Sequence, residues 1–439
     1  MKEALPSVLR PRKKFGLRAA IGGPIGLWLP DRKHWAQLSW VLVGKFALLL
    51  ANAAVMLFLA NRLELRTYGL LVVTISGQLL ISRFLMMGVD AGMLRLTAIP
   101  ELRARSREIV TAGLILIVCS SSVLLAAFLL VAPALSWSAV PVWVVACIVT
   151  GAVGTSLVDY GYSFRLARQE YSYATLAQGG TAILRLGVTT LAALVLPAYT
   201  LAVFIAYHGA SLLSGLAQSL VIGRTTQRPD RALIRRLLRY SLWQGKSNVI
   251  VIFSLYLGTF LLMALKQPEA TAIFGLGLTL SLGFFAIFTA YSEYLLVQVR
   301  QVEHVKTLPE FVRRAFTGAL ILIIACVPVV FLVAKFVPWF LGREWLEVVP
   351  IFAYLAASML LLILQAPLEA VCHYFLRPQA VTISWIVRAV LIGVAGLILA
   401  PRMGATGAAI AQLIGSGLGL LVLSFFVARL LRSGIEVDG

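Results

Sequence analysis

Every second loop of this chain is basic, and the loops between them carry almost no charge. The alternation lies over about a dozen long apolar segments, among them 41–60, 114–131 and 317–336. A helix needs about 20 apolar residues to cross a bilayer, and lysine and arginine collect in cytoplasmic loops. A chain with both properties folds as a set of membrane-crossing helices, and its arginines report how it is threaded. Twelve spans are expected: 38–60, 68–92, 108–134, 139–162, 172–197, 199–222, 241–265, 272–297, 316–341, 346–372, 379–400 and 405–430. With the N-terminus inside, 27 of the 38 Lys and Arg residues fall on the cytoplasmic face. Only Arg62, Arg66, Lys266, Arg343 and Arg402 fall on the other. Both termini are therefore expected in the cytoplasm.

Composition excludes the main soluble classes. Hydrophobic residues make up 60% of the 439, charged residues 13%, and the mean hydropathy is +0.92. Twelve crossings leave only short connections and no room for a soluble catalytic domain. The net charge of +20 does not imply nucleic acid, because the charges sit at membrane borders, where they set topology and attract anionic head groups. Cys119, Cys147, Cys326 and Cys372 fall in or beside apolar segments without CxxC spacing, so no metal, cofactor or disulfide framework is implied. His208 lies in a helix with no second ligand at i+3 or i+4, which fits a packed, hydrogen-bonded histidine better than a metal ligand. Residues 1–37 are basic and have no cleavage site, so they read as a cytoplasmic segment lying along the membrane.

The longest basic connection, 223–240, divides the chain. In it, Leu233, Ile234, Leu237 and Leu238 alternate with Arg235, Arg236 and Arg239, a pattern suited to an interfacial amphipathic helix. The expected organisation is a basic N-terminal segment (1–37), a six-helix half (38–222), the linker (223–240), a second six-helix half (241–432) and a short cytoplasmic tail (433–439). Short internal echoes fit repeated halves: Gly44–Lys45 with Gly245–Lys246, and Tyr68–Gly69 with Phe274–Gly275. Substrate bound between repeated halves is a common transporter plan.

Arg62-Leu-Glu-Leu-Arg-Thr-Tyr-Gly69, followed by an apolar helix closing in Gly88-Val-Asp-Ala-Gly-Met-Leu-Arg95, resembles the opening of the Wzx-type polysaccharide biosynthesis flippases. These belong to the multidrug/oligosaccharidyl-lipid/polysaccharide exporter (MOP) superfamily, which is MATE-like in fold. The resemblance continues through Leu233-Ile-Arg-Arg-Leu-Leu-Arg-Tyr-Ser-Leu242, Gln267-Pro-Glu-Ala270, Phe340-Leu-Gly-Arg-Glu-Trp345 and Pro401-Arg-Met-Gly-Ala-Thr-Gly-Ala-Ala409. One departure matters: where many relatives carry an Asp-Arg pair in the seventh helix, this chain has Gly258–Thr259. The resemblance implies an all-α, multi-pass protein of the bacterial inner membrane. It would move undecaprenyl-pyrophosphate-linked oligosaccharide units outward, with polysaccharide polymerase or assembly proteins as partners.

An ionised side chain at the bilayer centre costs about 2.5–3.5 kcal/mol on insertion scales and needs a cavity, a partner or a route to the surface. Lys45 and Lys246 lie about 9 Å inside the cytoplasmic border, where snorkelling is an alternative to cavity lining. Lys335 sits near the opposite border. Arg185 lies roughly 20 Å into its helix, too deep to snorkel, and Arg83 and Arg388 are intermediate. These arginines and the two lysines, Lys45 and Lys246, are the candidate substrate-binding cations, because a guanidinium fork matches a pyrophosphate. The competing reading is a structural ion pair between helices. Asp90, Asp159, Glu293 and Glu369 end even-numbered helices on the cytoplasmic side and are candidate gate or coupling residues. Some of them are expected to pair across the halves with cations such as Lys45, Lys246 and Arg388 and so close a cytoplasmic gate in the outward-facing state. Local capping is the alternative. Tyr160, Tyr162, Tyr256, Phe260, Tyr291 and Tyr294 read either as packing residues or as sugar-stacking surfaces.

No GxxxxGK[ST] phosphate loop occurs, and neither a large outer loop nor an acidic metal-binding cluster marks a polymerase, ligase or glycosyltransferase. A non-enzymatic flippase is the expected function. The alternatives are a MATE-type ion-coupled drug or metabolite exporter and a lipid II flippase.

Overall fold

In the computed structural model, the described residues are 32–98, 102, 105–135, 141–168, 170–196, 200–223, 227–299, 308–375 and 377–437. Their regular structure is entirely helical: α1 (Arg32–Ala60), α2 (Leu65–Met86), α3 (Val89–Ala98), α4 (Ser106–Leu135), α5 (Val142–Ala167), α6 (Tyr171–Val195) and α7 (Thr200–Gly223). Then come α8 (Arg231–Ala264), α9 (Pro268–Val299), α10 (Leu308–Leu341), a 3₁₀ turn (Arg343–Trp345), α11 (Val348–Tyr374) and α12 (Pro378–Val437). The physical cause is plain. Hydrocarbon offers the backbone no hydrogen-bond partners, so each crossing must satisfy its own amides.

Ten of the helices are long and apolar enough to cross a membrane. The last of them covers two expected spans, broken at Gly404 (φ 57°, ψ −132°), and α1 adds the apolar stretch Phe46–Ala60. This is a multi-pass membrane protein with ten to twelve crossings. α4 and α10 are the outer helices: Leu129, Leu130, Ile324, Phe331 and Leu332 are exposed, as lipid-facing residues should be. α5, α9 and α11 are buried on most of their surface and form the middle.

Two expectations about local structure are corrected. The second span does not run unbroken to residue 92. Met87 (φ 45°) and Gly88 (φ 73°) are both left-handed and end α2, after which α3 starts in a new direction. Another helix crosses at this break. A Cβ on Gly88 would lie 2.5 Å from the Gly245 nitrogen, and one on Gly245 would lie 2.5 Å from the Met87 carbonyl carbon. Glycine at both positions is what lets the backbones touch.

The amphipathic stretch within 223–240 is also not a separate interfacial helix. It forms the first turns of α8, which continues to Ala264. Asp230 caps it, accepting a hydrogen bond from the Leu233 amide at 2.6 Å. No proline or glycine interrupts residues 231–244, so nothing stops the helix from propagating into the membrane. α8 therefore belongs to two cores. Leu233 and Leu237 pack with α3, α4 and α5, whereas Leu255, Tyr256 and Leu262 pack in the larger core with α9, α11 and α12.

Two of the basic connections, those before α4 and before α8, meet on one face. Arg105 bonds Asp230 at 2.6 Å, Arg95 stacks 5.4 Å from the Tyr240 ring, and the Gln227 amide donates to Thr111 Oγ1 at 3.0 Å. The expected surface segment before residue 32 lies outside the described residues.

Candidate functional site

Arg185 projects from the middle of α6 and is 9% exposed. Its Nη1 donates to Asn52 Oδ1 on α1 at 3.0 Å and to the Tyr207 hydroxyl on α7 at 3.5 Å. Its Nη2 donates to Ser211 Oγ at 2.8 Å, and its guanidinium carbon sits 4.9 Å from the Tyr207 ring centre. These partners are all neutral, and among the described residues nothing accepts from Nε. The charge is solvated in the helix bundle without being cancelled by a bonded carboxylate.

Next to Tyr207, His208 is buried between α2 and α7. Its Nδ1 lies 2.5 Å from Gln78 Oε1 and its Nε2 lies 3.1 Å from Thr74 Oγ1. Gln78 passes the network on, donating to Thr155 Oγ1 on α5 at 2.5 Å. Gly151 makes the room, since a Cβ there would lie 2.5 Å from the imidazole Nδ1. His208 is the packed, hydrogen-bonded histidine that its sequence context implies.

Nearer the basic face, Arg83 on α2 pairs with Asp159 on α5 at 3.1 Å. Asp159 lies within electrostatic reach of Asp90 and Arg185, and Tyr162 within reach of both Asp159 and Glu293 on α9. Arg83, Asp90, Asp159, Tyr162 and Glu293, carried by α2, α3, α5 and α9, are thus linked electrostatically.

The later helices hold a different cluster. Glu369 on α11 accepts from Gln365 Nε2 at 2.8 Å and from the Trp385 indole at 3.1 Å. Arg388, one turn beyond Trp385 on α12, is 1% exposed, and its guanidinium stacks 4.8 Å from the Trp385 ring. No described residue accepts a hydrogen bond from it, but Glu369 lies within electrostatic reach. Beside them Ser358 and Ser416 are hydrogen-bonded at 2.6 Å.

The candidate cations are thus scattered. Arg185 and Arg388 are deep and separate, Arg83 is in an ion pair, and Lys246 is exposed near the middle of α8. The Lys45 side chain lies outside the described residues. Pairing of the acidic residues across the two sets of helices is not what the structure shows for Asp159 and Glu369. Asp159 forms an ion pair with Arg83 between α2 and α5, and Glu369 neighbours Arg388 between α11 and α12. The nearest cations are supplied by adjacent helices of the same set. Two of the aromatic candidates are packing residues: the Tyr160 hydroxyl donates to the Val110 carbonyl, and that of Tyr291 donates to the Ala315 carbonyl at 2.5 Å. At the departure from the family pattern, a Cβ on Gly258 would lie 2.5 Å from Phe274 Cζ, so the ring occupies the space a larger side chain needs.

Asn52, Tyr207 and Ser211 around Arg185, and Gln78, Thr74 and Thr155 around His208, were not singled out from sequence. The available signal was a polar side chain deep in an apolar span, which has to find a partner. Among the described residues no group of three His, Cys, Asp or Glu side chains is placed to hold a metal.

The chain matches the family described as "Polysaccharide biosynthesis protein" over residues 34–302. No curated protein matches it. Among solved structures, it is similar to the lipid II flippase MurJ in an inward closed conformation, with TM-score 0.68 and 12% identity, covering 88% of this chain and 87% of that one. It is also similar to an outward-facing multidrug resistance MATE family transporter of the MOP superfamily, with TM-score 0.64 and 15% identity, covering 91% and 96%. A third is a MOP superfamily transporter from Pyrococcus furiosus, with TM-score 0.58 and 15% identity over 91% and 95%, whose binding pocket is described as having reverse polarity. At these identities the likeness is one of fold. With the family match covering more than half its length, the chain belongs to the polysaccharide biosynthesis protein family, and its fold is the one these membrane transporters share.

Proposed function

We propose that the protein carries undecaprenyl-pyrophosphate-linked oligosaccharide units from the cytoplasmic to the outer leaflet by alternating access between two six-helix halves, with the basic face in the cytoplasm. The observation that carries the substrate class is Arg185. A buried guanidinium bonded only to neutral groups keeps a positive charge available, and its planar fork matches phosphate oxygens bidentately. A pocket for cationic drugs would place an uncompensated carboxylate at that depth instead. Arg388, although almost fully buried, has Glu369 within electrostatic reach and does not add to this argument. The fold shared with transporters and the short connections between helices support transport as the activity. Polymerase or assembly proteins that take up the flipped units are the expected partners.

The test is a strain lacking the protein, with lipid-linked oligosaccharide quantified on each leaflet alongside surface polysaccharide. Completed units held on the cytoplasmic side, with surface polymer lost, is the expected result. Normal polysaccharide with altered sensitivity to cationic drugs would overturn the substrate in favour of an exporter, and loss of peptidoglycan precursor transport would favour a lipid II flippase.

A further inference from the structure

The first turns of α8 have two faces with different surroundings. Leu233, Leu237 and Ser241 are buried, the leucines against the core of α3, α4 and α5 and Ser241 at the α2–α3 break. The other face carries Arg235, Leu238, Arg239, Leu242 and Lys246, which line an open groove of 370 Å³. Spacings of three and four residues put all five on one stripe. Arg235, Arg239 and Lys246 are exposed, and no described residue forms an ion pair with either arginine.

From Arg235 to Lys246 the stripe rises about 16 Å along the axis. It starts on the basic face and enters the span that begins at residue 241. It therefore passes through the depth at which a lipid changes from head group to chain. Two leucines are interleaved with the three cations at that depth, so the groove offers charge and apolar contact together.

We infer that this stripe is a docking site for the pyrophosphate of the lipid-linked substrate before it enters between the helices. Arg235 and Arg239 bind the phosphate oxygens, Lys246 adds charge at the deeper end, and Leu238 and Leu242 lie against the first carbons of the polyprenyl chain. Charge complementarity selects this occupant. A pyrophosphate bridge presents more charge and more acceptor oxygens than the single phosphodiester of a bulk phospholipid, and two guanidinium forks on adjacent turns match it. The site rests on the substrate class proposed above. It adds an encounter point outside the helix bundle, separate from Arg185.

The full chain in phosphatidylcholine nanodiscs, titrated with a short-chain polyprenyl pyrophosphate and separately with phosphatidylglycerol, tests it. Arg235→Gln with Arg239→Gln is expected to weaken the pyrophosphate lipid about tenfold and to leave phosphatidylglycerol unchanged. Arg235→Lys with Arg239→Lys, which keeps the charge and loses the forks, should fall between the parent and the Gln variant. Both arginines are exposed, so the folded yield should hold. Unchanged pyrophosphate binding in the Gln variant would overturn the site and leave the substrate class standing. Equal losses for both lipids would make the stripe a general anionic-lipid surface and also overturn it. Failure of the unmodified protein to bind polyprenyl pyrophosphate would remove the substrate class and the site together.

Discussion

Arg185 and Arg388 are both guanidinium groups buried in the membrane part of the molecule, and the two regions treat them in opposite ways. Around Arg185, an amide, a serine and a tyrosine supply dipoles and a ring face, and no carboxylate is bonded to it. Around Arg388 there is a tryptophan face and, within electrostatic reach, a carboxylate held by Gln365 and Trp385. Dipoles solvate a charge without cancelling it, whereas an opposite charge cancels its field at a distance. The first arrangement keeps a cation ready for an anionic ligand. The second builds a nearly neutral core, so burial alone does not identify a binding residue.

The largest expected effect lies in the second region. Glu369→Ala leaves Arg388 uncompensated and two buried donors unpaired, and should lower stability by about 3–5 kcal/mol. Thermal unfolding in detergent reads this, and Glu369→Gln combined with Arg388→Met, which keeps an acceptor for Gln365 and Trp385, should recover most of the loss. If the single variant is as stable as the parent, Arg388 is not balanced by Glu369 and the contrast fails. Arg185→Gln comes next. Losing a charged hydrogen bond to substrate, at about 1.5–3 kcal/mol, should weaken transport roughly 10- to 100-fold at limiting substrate. Arg388→Gln should show its defect mainly in folded yield. His208→Leu sharpens the distinction from within the first region. It leaves Gln78 Oε1 without its imidazole partner at a stability cost of about 1–3 kcal/mol, with transport per folded molecule retained, because that network holds no guanidinium or carboxylate.

Much of this was legible in the sequence. Hydropathy and the arginine count marked the helices, since each crossing must be apolar and internally hydrogen-bonded, and the depth of Arg185 marked it as a residue in need of a partner. The break at Met87–Gly88 was not legible, because it depends on α8 crossing there and bringing Gly245 against it. Nor was the continuity of α8 legible. An amphipathic turn and a membrane span have different hydrophobic patterns, yet nothing at residues 240–241 ends the helix. The partners of Asp159 and Glu369 were missed for a related reason: the order of charges along a chain does not say which helices are neighbours.

The smallest expected effect lies at the basic face, where ionic partners are exposed. The Leu233 amide, and then the Arg105 guanidinium, hold the Asp230 carboxyl below its ordinary value of 3.8. A depressed carboxylate contributes stability that is fully present above that ordinary value and is lost as pH falls through the lower, folded value. The protection of the first-turn amides of α8, taken relative to their intrinsic exchange rate at each pH, should therefore fall on acidification in the parent and show little such dependence in Asp230→Asn. An identical pH response in both would show that the cap does not hold this end of the helix.

The most direct test of the account is the rate of lipid-linked oligosaccharide translocation into proteoliposomes, measured against substrate concentration for the parent, Arg185→Lys and Arg185→Gln at matched folded protein. The account predicts a raised KM in Arg185→Gln, with Arg185→Lys in between. A parent-like KM in Arg185→Gln would contradict the assignment of this buried charge to the substrate's pyrophosphate.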